Sequence, residues 1–260
     1  MDELKKQLTE QDLNVKALLL QGWLLTRELA SRLAVMAVAV ALPVAVLQSL
    51  LHQMFPVSVK NPENAPVALV TGLIAFLAST YLMVAAGLVV EVRVSGHKLS
   101  APVALRISFE RVRKKFRTFL LLMGWATLPL TLVSLSPLVA VSAPSLVLLR
   151  PVMFIAALAA GVWLFLHYIF VPFITTLREH SGKVALRTSS ELSDGFKVQI
   201  GITMLLAGLV SAFLAMVLSV PFLWMGGDTF HMIVSRTVFY ITLLYAFVTL
   251  SLLFLNRDYR

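Results

Sequence analysis

Histidine is a residue type that can carry out acid-base chemistry or bind a metal. The sequence contains five histidines. His52, His97, His180 and His231 lie in or beside the polar connections between apolar segments. No two of the five histidines show the helical spacing by which a pair of side chains shares one metal ion. We therefore interpret these four as solvated or interfacial, and we predict neither a metal site nor a cofactor.

His167 differs from the other four because it lies within a long apolar segment. An ionisable side chain at such depth usually faces the interior of a helix bundle and marks a functional position. No carboxylate inside the apolar segments is available as its partner in a proton relay. The simpler interpretation is a neutral imidazole hydrogen-bonded to a neighbouring helix, and it stays open beside the functional one.

Ser189 and Ser190 could act as nucleophiles only if a general base activated them. His180 and Lys183 precede them in the chain and could come near them in space, but neither has the spacing of a known catalytic arrangement. Packing or capping of a helix explains the two serines more simply. Phosphate-binding glycine loops, paired carboxylates and zinc-hydrolase motifs are also missing from the sequence, so we predict no catalytic residues and no enzyme activity.

A dense basic cluster is the strongest local signal in the sequence. It consists of Arg106, Arg111, Arg113, Lys114, Lys115 and Arg117. An apolar stripe at three- and four-residue spacing accompanies it, formed by Leu105, Phe109, Val112, Phe116 and Phe119. The pattern predicts an amphipathic helix over Ser100–Arg117 that lies in a membrane interface, with its cations near anionic lipid headgroups. Nucleic acid is excluded as a partner because the same cations are needed at the membrane surface.

The elements that position these residues are predicted by composition. The chain is 59% hydrophobic and 13% charged, whereas soluble domains carry about a quarter charged residues. A membrane-spanning helix needs about 20 mostly apolar residues. Six segments meet this requirement: Leu33–Leu51, Val67–Val90, Phe119–Val141, Val152–Leu177, Val198–Trp224 and Met232–Leu255. The apolar run Leu138–Leu149, which prolines punctuate, is predicted to be the end of the third span with an interfacial connection, or a re-entrant piece.

The distribution of Lys and Arg predicts the orientation of these spans. With six spans, all but three of the 22 basic residues fall on one side of the membrane, and the exceptions are Lys60, Arg150 and Arg236. Positive charge concentrates on the cytoplasmic side. Both termini are therefore predicted to be cytoplasmic. Arg236 is predicted to reach the opposite interface, where it either meets water or contacts an anion.

An internal repeat relates the polar segments to one another. Six of eight positions are identical between Val103–Glu110 and Val184–Glu191, at an offset of 81. A weaker third copy begins near Ala17. The sequence thus predicts an all-α fold in one transmembrane domain, residues 1–260. Its three pseudo-repeats of an amphipathic helix and two spans cover about 12–92, 93–178 and 179–260.

Prolines recur inside the predicted spans, at Pro43, Pro129, Pro172 and Pro221. Each lacks a backbone donor and tends to kink a helix. A kink can open a cavity or form a hinge, and more often it only shapes the packing of helices. Both interpretations remain open at the level of sequence.

The stretch Val171-Pro172-Phe173, followed by Gly182–Leu192 and then a new span, resembles the YciC-type bacterial inner-membrane proteins. It also resembles the wider superfamily of glycerophosphodiester phosphodiesterase membrane domains. The resemblance implies a six-span membrane protein of the bacterial inner membrane. Catalysis in the phosphodiesterases belongs to a separate soluble barrel, so the resemblance implies no catalytic residue here.

These observations lead to two hypotheses about function. The first is a non-enzymatic integral membrane protein that engages phospholipids through its basic interfacial helices, in lipid organisation, lipid transfer or the scaffolding of other membrane proteins. The second is a small transporter or channel with a path along the repeat axis that uses His167. A continuous polar cavity reaching His167 would favour the second hypothesis.

Overall fold

The computed structural model describes residues 2–55, 65–119, 121–122, 149–222 and 227–259. Within these ranges the chain is helical with short connections and contains no strand, which confirms the all-α prediction for this part of the protein. The helices are α1 (Asp2–Glu10), α2 (Val15–Glu28), α3 (Ala30–Met54), α4 (Ala65–Val94), α5 (Ala101–Lys114), α6 (Leu149–Tyr168), α7 (Val171–Leu177), α8 (Gly182–Ser193), α9 (Lys197–Ser219) and α10 (Asp228–Asp258).

Five segments of the described chain are long and apolar enough to cross a membrane. They are Ala30–Met54, Val70–Val94, Leu158–Leu177, Lys197–Phe222 and Thr229–Asp258. All five correspond to predicted spans, the third to the later part of Val152–Leu177, and α3, α4 and α10 extend several residues beyond the predicted limits. The remaining predicted span, Phe119–Val141, and the run Leu138–Leu149 lie almost wholly outside the described residues.

The fourth predicted span, Val152–Leu177, is apolar enough to cross a membrane over Leu158–Leu177, and within it the chain is divided into two helices. Helix α6 ends at Tyr168, and α7 begins at Val171. Pro172 explains the break, because its ring would clash with the carbonyl of the residue four positions earlier, which is Tyr168. Because Pro172 lies in the first turn of α7, where N–H groups have no partner within the helix, its lack of an N–H costs no helical hydrogen bond.

The other prolines occupy different structural positions. Pro43 lies inside α3, which continues through it. Pro221 lies inside a span, as predicted, since the segment Lys197–Phe222 includes it, but it lies beyond the end of α9, in the 3₁₀ turn Val220–Phe222. It therefore accompanies the termination of α9 and does not kink it. Pro129 lies outside the described residues.

The helices form two compact units, Met1–Lys114 with Val198–Arg260 (unit one) and Lys115–Lys197 (unit two). In unit one, α10 packs against α2, α3 and α4, and α5 packs against α3 and α4. Every residue of α10 from Leu244 to Arg257 is buried. A helix that is enclosed on all sides belongs to the core of its unit, and α10 has this role in unit one.

Asn256 joins the end of α10 to the N-terminal segment of the chain. Its amide Nδ2 donates hydrogen bonds to the carbonyl oxygens of Leu8 at 2.9 Å and Gln11 at 2.8 Å. Its Oδ1 accepts a hydrogen bond from the backbone N–H of Leu13 at 3.3 Å. One buried amide thereby satisfies three backbone groups of α1 and of the connection to α2.

Arg257 reinforces the same connection. Its guanidinium donates to Oδ1 of Asp12 at 2.8 Å and to Oε1 of Gln199 at 2.8 Å. Gln199 in turn donates through Nε2 to the carbonyl of Leu13 at 2.6 Å. The polar N-terminal segment therefore covers the end of α10.

In unit two, α8 packs against α6 and α7. The residues of α8 that are buried are small: Ala185, Ser189 and Ser193. The connection before α8 is held by the backbone N–H of Gly182, which donates to Oγ1 of Thr118 at 2.9 Å. Gly182 has a φ of 59°, in the left-handed region that glycine adopts most easily.

Candidate functional site

Helix α5 carries four of the six cations of the predicted basic cluster, and three of them lie on an exposed face. Ala101, Ala104 and Ser108 form the buried side of the helix. The hydroxyl of Tyr81, on α4, donates to the carbonyl of Leu105 at 2.7 Å and ties α5 to that helix. Small side chains let α5 lie close to its neighbours. Large apolar residues dominate the sequence pattern of this helix, and its small-residue side was not predicted.

The exposed side of α5 combines cations with an aromatic ring. Arg106, Arg113 and Lys114 are exposed there, and we call these three residues the basic face of α5. Phe109 lies on the same side and is 58% exposed. Arg106 donates to Glu110 at 3.2 Å, one helical turn away, with its side chain 82% exposed. A single carboxylate is thus set against three exposed cations, and the face stays positive.

The other predicted headgroup residues are placed differently. Arg111 is half-buried and makes contacts of its own. Lys115 and Arg117 belong to unit two. The ammonium group of Lys115 donates to the carbonyl of Glu179 at 2.9 Å, while Arg117 is exposed. The six cations therefore do not form one uniform surface.

Helix α8 reproduces the construction of α5 at the predicted offset. Ala185 and Ser189 are buried, like Ala104 and Ser108. Arg187 donates to Glu191 at 2.8 Å, as Arg106 does to Glu110 in α5. The residues that are identical between the two sequence segments thus occupy matching buried and exposed positions.

The C-terminal end of α8 carries an ion pair in place of a basic face. The ammonium group of Lys197 donates to Oδ1 of Asp194 at 2.9 Å. This hydrogen bond, with the charge of Lys197, holds the pKa of the Asp194 carboxyl below its usual value. The pair therefore favours the folded state above the ordinary carboxyl pKa, and its contribution is lost as the pH falls through the lowered pKa.

His167 is engaged by its own helix. Its Nδ1 lies 2.8 Å from the carbonyl oxygen of Trp163, one turn earlier, and the two rings lie 4.2 Å apart between centroids. The imidazole is half-buried. The simpler interpretation expected a hydrogen bond to a neighbouring helix, whereas this hydrogen bond is made within α6 itself.

The side chain of Ser189 contributes to helix packing. Its hydroxyl donates to the backbone carbonyl of His167 at 2.8 Å, and the side chain is buried. His180 and Lys183 are exposed. Neither makes a hydrogen bond to Ser189 in the described structure, so the three do not form the arrangement that a serine nucleophile requires.

A second group of polar side chains lies at the far end of unit one from Asn256. Gln48 of α3 is buried, at 7% exposure, and Arg236 of α10 approaches it. Gln53 and Thr229 are hydrogen-bonded between the same two helices. Arg236 was a candidate from sequence, whereas Gln48 was not. The signal available for Gln48 was a polar residue near the end of an apolar run.

Comparison of the chain with protein-family models, with curated proteins and with solved structures found no match to any of them. The likeness to the YciC-type proteins therefore stays a prediction from sequence.

Proposed function

We propose that the protein is a non-enzymatic integral membrane protein that engages anionic phospholipids through the basic face of α5. The observation that carries this proposal is the division of α5 into two sides. One side is small and packed on α3 and α4, and the other presents Phe109 among exposed cations. A helix of this kind is suited to lie at a membrane surface while remaining attached to spanning helices.

Each part of the exposed side has a role in this proposal. The ring of Phe109 enters the boundary between headgroups and acyl chains, and the cations meet lipid phosphates above it. Each cation near an anionic surface contributes about 1 kcal/mol before screening by salt. Arginine can also bind a phosphate through two parallel N–H donors, which lysine cannot do.

The proposed topology places the basic face at the cytoplasmic surface. It includes a sixth span near Phe119–Val141, three repeat units and both termini in the cytoplasm of a bacterial cell. The uneven distribution of Lys and Arg supports this orientation. The matching burial patterns of α5 and α8 support the repeat.

Replacement of the three cations of the basic face tests the proposal. The variant Arg106→Gln, Arg113→Gln, Lys114→Gln should bind phosphatidylglycerol at least about tenfold more weakly than the wild type, because three contributions of about 1 kcal/mol are removed. Native mass spectrometry of the purified chain with added phosphatidylglycerol would measure this loss. The difference should shrink at high ionic strength.

The matched control removes the same charge elsewhere. Lys5, Lys6 and Lys16 are exposed cations of α1 and α2, outside the basic face. Their replacement by Gln should leave phosphatidylglycerol binding within about twofold of the wild type. Equal losses of phosphatidylglycerol binding in both triple variants would show a general effect of charge and would contradict the proposal. Undiminished binding by the α5 variant would contradict it as well.

A further inference from the structure

Arg236 is an unusually placed cation of unit one. Its guanidinium donates from Nη1 to Oε1 of Gln48 at 3.5 Å. Gln48 is itself anchored, because its Nε2 donates to the carbonyl of Thr71 on α4 at 3.0 Å. The buried amide of Gln48 is therefore held with its oxygen towards Arg236, and three helices contribute to one polar cluster.

The axial position of this cluster follows from helix geometry. At a rise of about 1.5 Å per residue, Arg236 lies about 32 Å along α10 from Arg257, and Thr71 lies about 30 Å along α4 from Glu91. The hydrocarbon core of a bilayer is about 30 Å thick. If Arg257 and Glu91 lie at one boundary of the hydrocarbon core, this separation puts the cluster of Gln48 and Arg236 at the other boundary, next to the headgroup region.

Among the residues that the structure describes, no carboxylate balances the charge of Arg236. Two other cations of unit one with little exposure have such partners, since Arg93 pairs with Glu28 and Arg257 pairs with Asp12. Within the residues that the structure describes, Arg236 has no carboxylate within ion-pair distance, and its one hydrogen bond is long and made to a neutral amide. A guanidinium has five N–H donors, so most of those of Arg236 remain available to a ligand.

We propose that Arg236 and Gln48 form a binding site for a phosphate oxyanion at this boundary. The planar guanidinium suits two oxygens of one phosphate group. Gln48 acts as a positioning residue, because its oxygen holds Nη1 and leaves the other donors directed away from it. A phospholipid headgroup in the adjacent leaflet is the abundant source of such an oxyanion, and free phosphate is the other source. The site is separate from the basic face of α5 and does not depend on it.

Binding measurements on the purified full chain test this site. The ligands are dihexanoylphosphatidylglycerol and inorganic phosphate, titrated separately in a detergent that lacks phosphate. Arg236→Gln should weaken binding of the site's ligand about tenfold, since charge-assisted hydrogen bonds are lost. Arg236→Lys keeps the charge but not the planar fork, so we expect an intermediate loss. Gln48→Leu should weaken binding several-fold while leaving the charge in place.

Arg27→Gln provides the charge-matched control, because Arg27 is an exposed cation of α2 outside this cluster. It should bind both ligands as the wild type does. The titrations are repeated in the background of the α5 triple variant, so that failure of one site can be told from failure of the other. Thermal unfolding verifies that each variant is folded. If Arg236→Gln is not folded, Arg236→Lys and Gln48→Leu test the proposal instead.

Each outcome of these titrations bears on the proposal. A loss in Arg236→Gln seen with the lipid alone supports the site and assigns its ligand to a headgroup. A loss seen with inorganic phosphate as well supports the site and assigns its ligand to the oxyanion itself. Unchanged binding of both ligands by the Arg236 variants would show that this guanidinium only reaches water, and the proposal would be overturned.

Discussion

Single residues determine how closely the helices of unit one approach, and Gly22 is the clearest example. It lies on α2, which packs against α10. A Cβ atom at this position would overlap Oγ1 of Thr249 and lie 3.2 Å from the Cβ of Thr249. Thr249 is buried, and its hydroxyl donates to the carbonyl of Tyr245 at 2.9 Å. The contact therefore has little room in which to adjust.

We expect Gly22→Ala to destabilise the protein by about 1–3 kcal/mol, because the added methyl group overpacks the contact between α2 and α10. Thermal unfolding in detergent, followed by circular dichroism, measures the effect. The double variant Gly22→Ala, Thr249→Ala should recover part of the loss, since the overlapping hydroxyl is then absent. Gly208→Ala is the control, because a Cβ there meets nothing within 4 Å. A loss at Gly208 equal to that at Gly22 would contradict the argument.

Sequence patterns identify such residues only when their own type is informative. His167 was conspicuous as an ionisable group in an apolar segment, and the basic cluster was conspicuous by its density. Gly22 and Asn256 carried no such signal, because their importance comes from partners more than two hundred positions away in the chain. Local periodicity contains no information about such distant partners.

At the scale of elements, α5 and α8 share one design. Each is a short amphipathic helix with an alanine and a serine one turn apart on its buried side. Each also carries an arginine that pairs with a glutamate on its exposed side. The internal repeat predicted that the two segments are related, but it did not predict which side is packed, because large apolar residues dominated the periodicity.

Substitutions at equivalent positions of the two helices test this shared design. Ala104→Leu in α5 and Ala185→Leu in α8 should each destabilise the protein by about 1–3 kcal/mol, since both alanines are fully buried. Val103→Leu and Val184→Leu change the neighbouring exposed residues and should stay within about 0.5 kcal/mol of the wild type. Thermal unfolding midpoints measure all four. If the leucines at the alanine positions were as harmless as those at the valine positions, the buried sides would be assigned incorrectly.

The long helices were predictable from their apolar runs, and Pro172 predicted a kink in the fourth span but not its division into two helices. Its composition is apolar throughout, so hydropathy joined α6 and α7 into one segment. Pro172 indicated a kink, because the proline ring clashes with the carbonyl of the residue four positions earlier, but a kink does not determine whether the helix ends. In α3, however, the helix continues through Pro43. A proline therefore marks a possible break, and packing decides whether it occurs.

At the scale of the whole molecule, composition predicted a membrane protein with an uneven distribution of charge. The structure agrees at a coarse level, with five helices able to span a bilayer among the residues it describes. The packing of the N-terminal segment on the end of α10 could not be predicted from sequence. It depends on hydrogen bonds from Asn256 and Arg257 to backbone and side-chain atoms that are distant in the chain. The proposed lipid sites need two distinct membrane faces, one for the basic face of α5 and one for Arg236.

The most direct test of that arrangement is the sidedness of single cysteines. The chain has no cysteine of its own, so Lys16→Cys, Lys114→Cys and Lys60→Cys can each be labelled without background. We predict that a membrane-impermeant maleimide added to sealed vesicles of inverted orientation labels positions 16 and 114 but not position 60. Labelling of position 60 together with position 16, or of position 114 on the side opposite to position 16, would contradict the account.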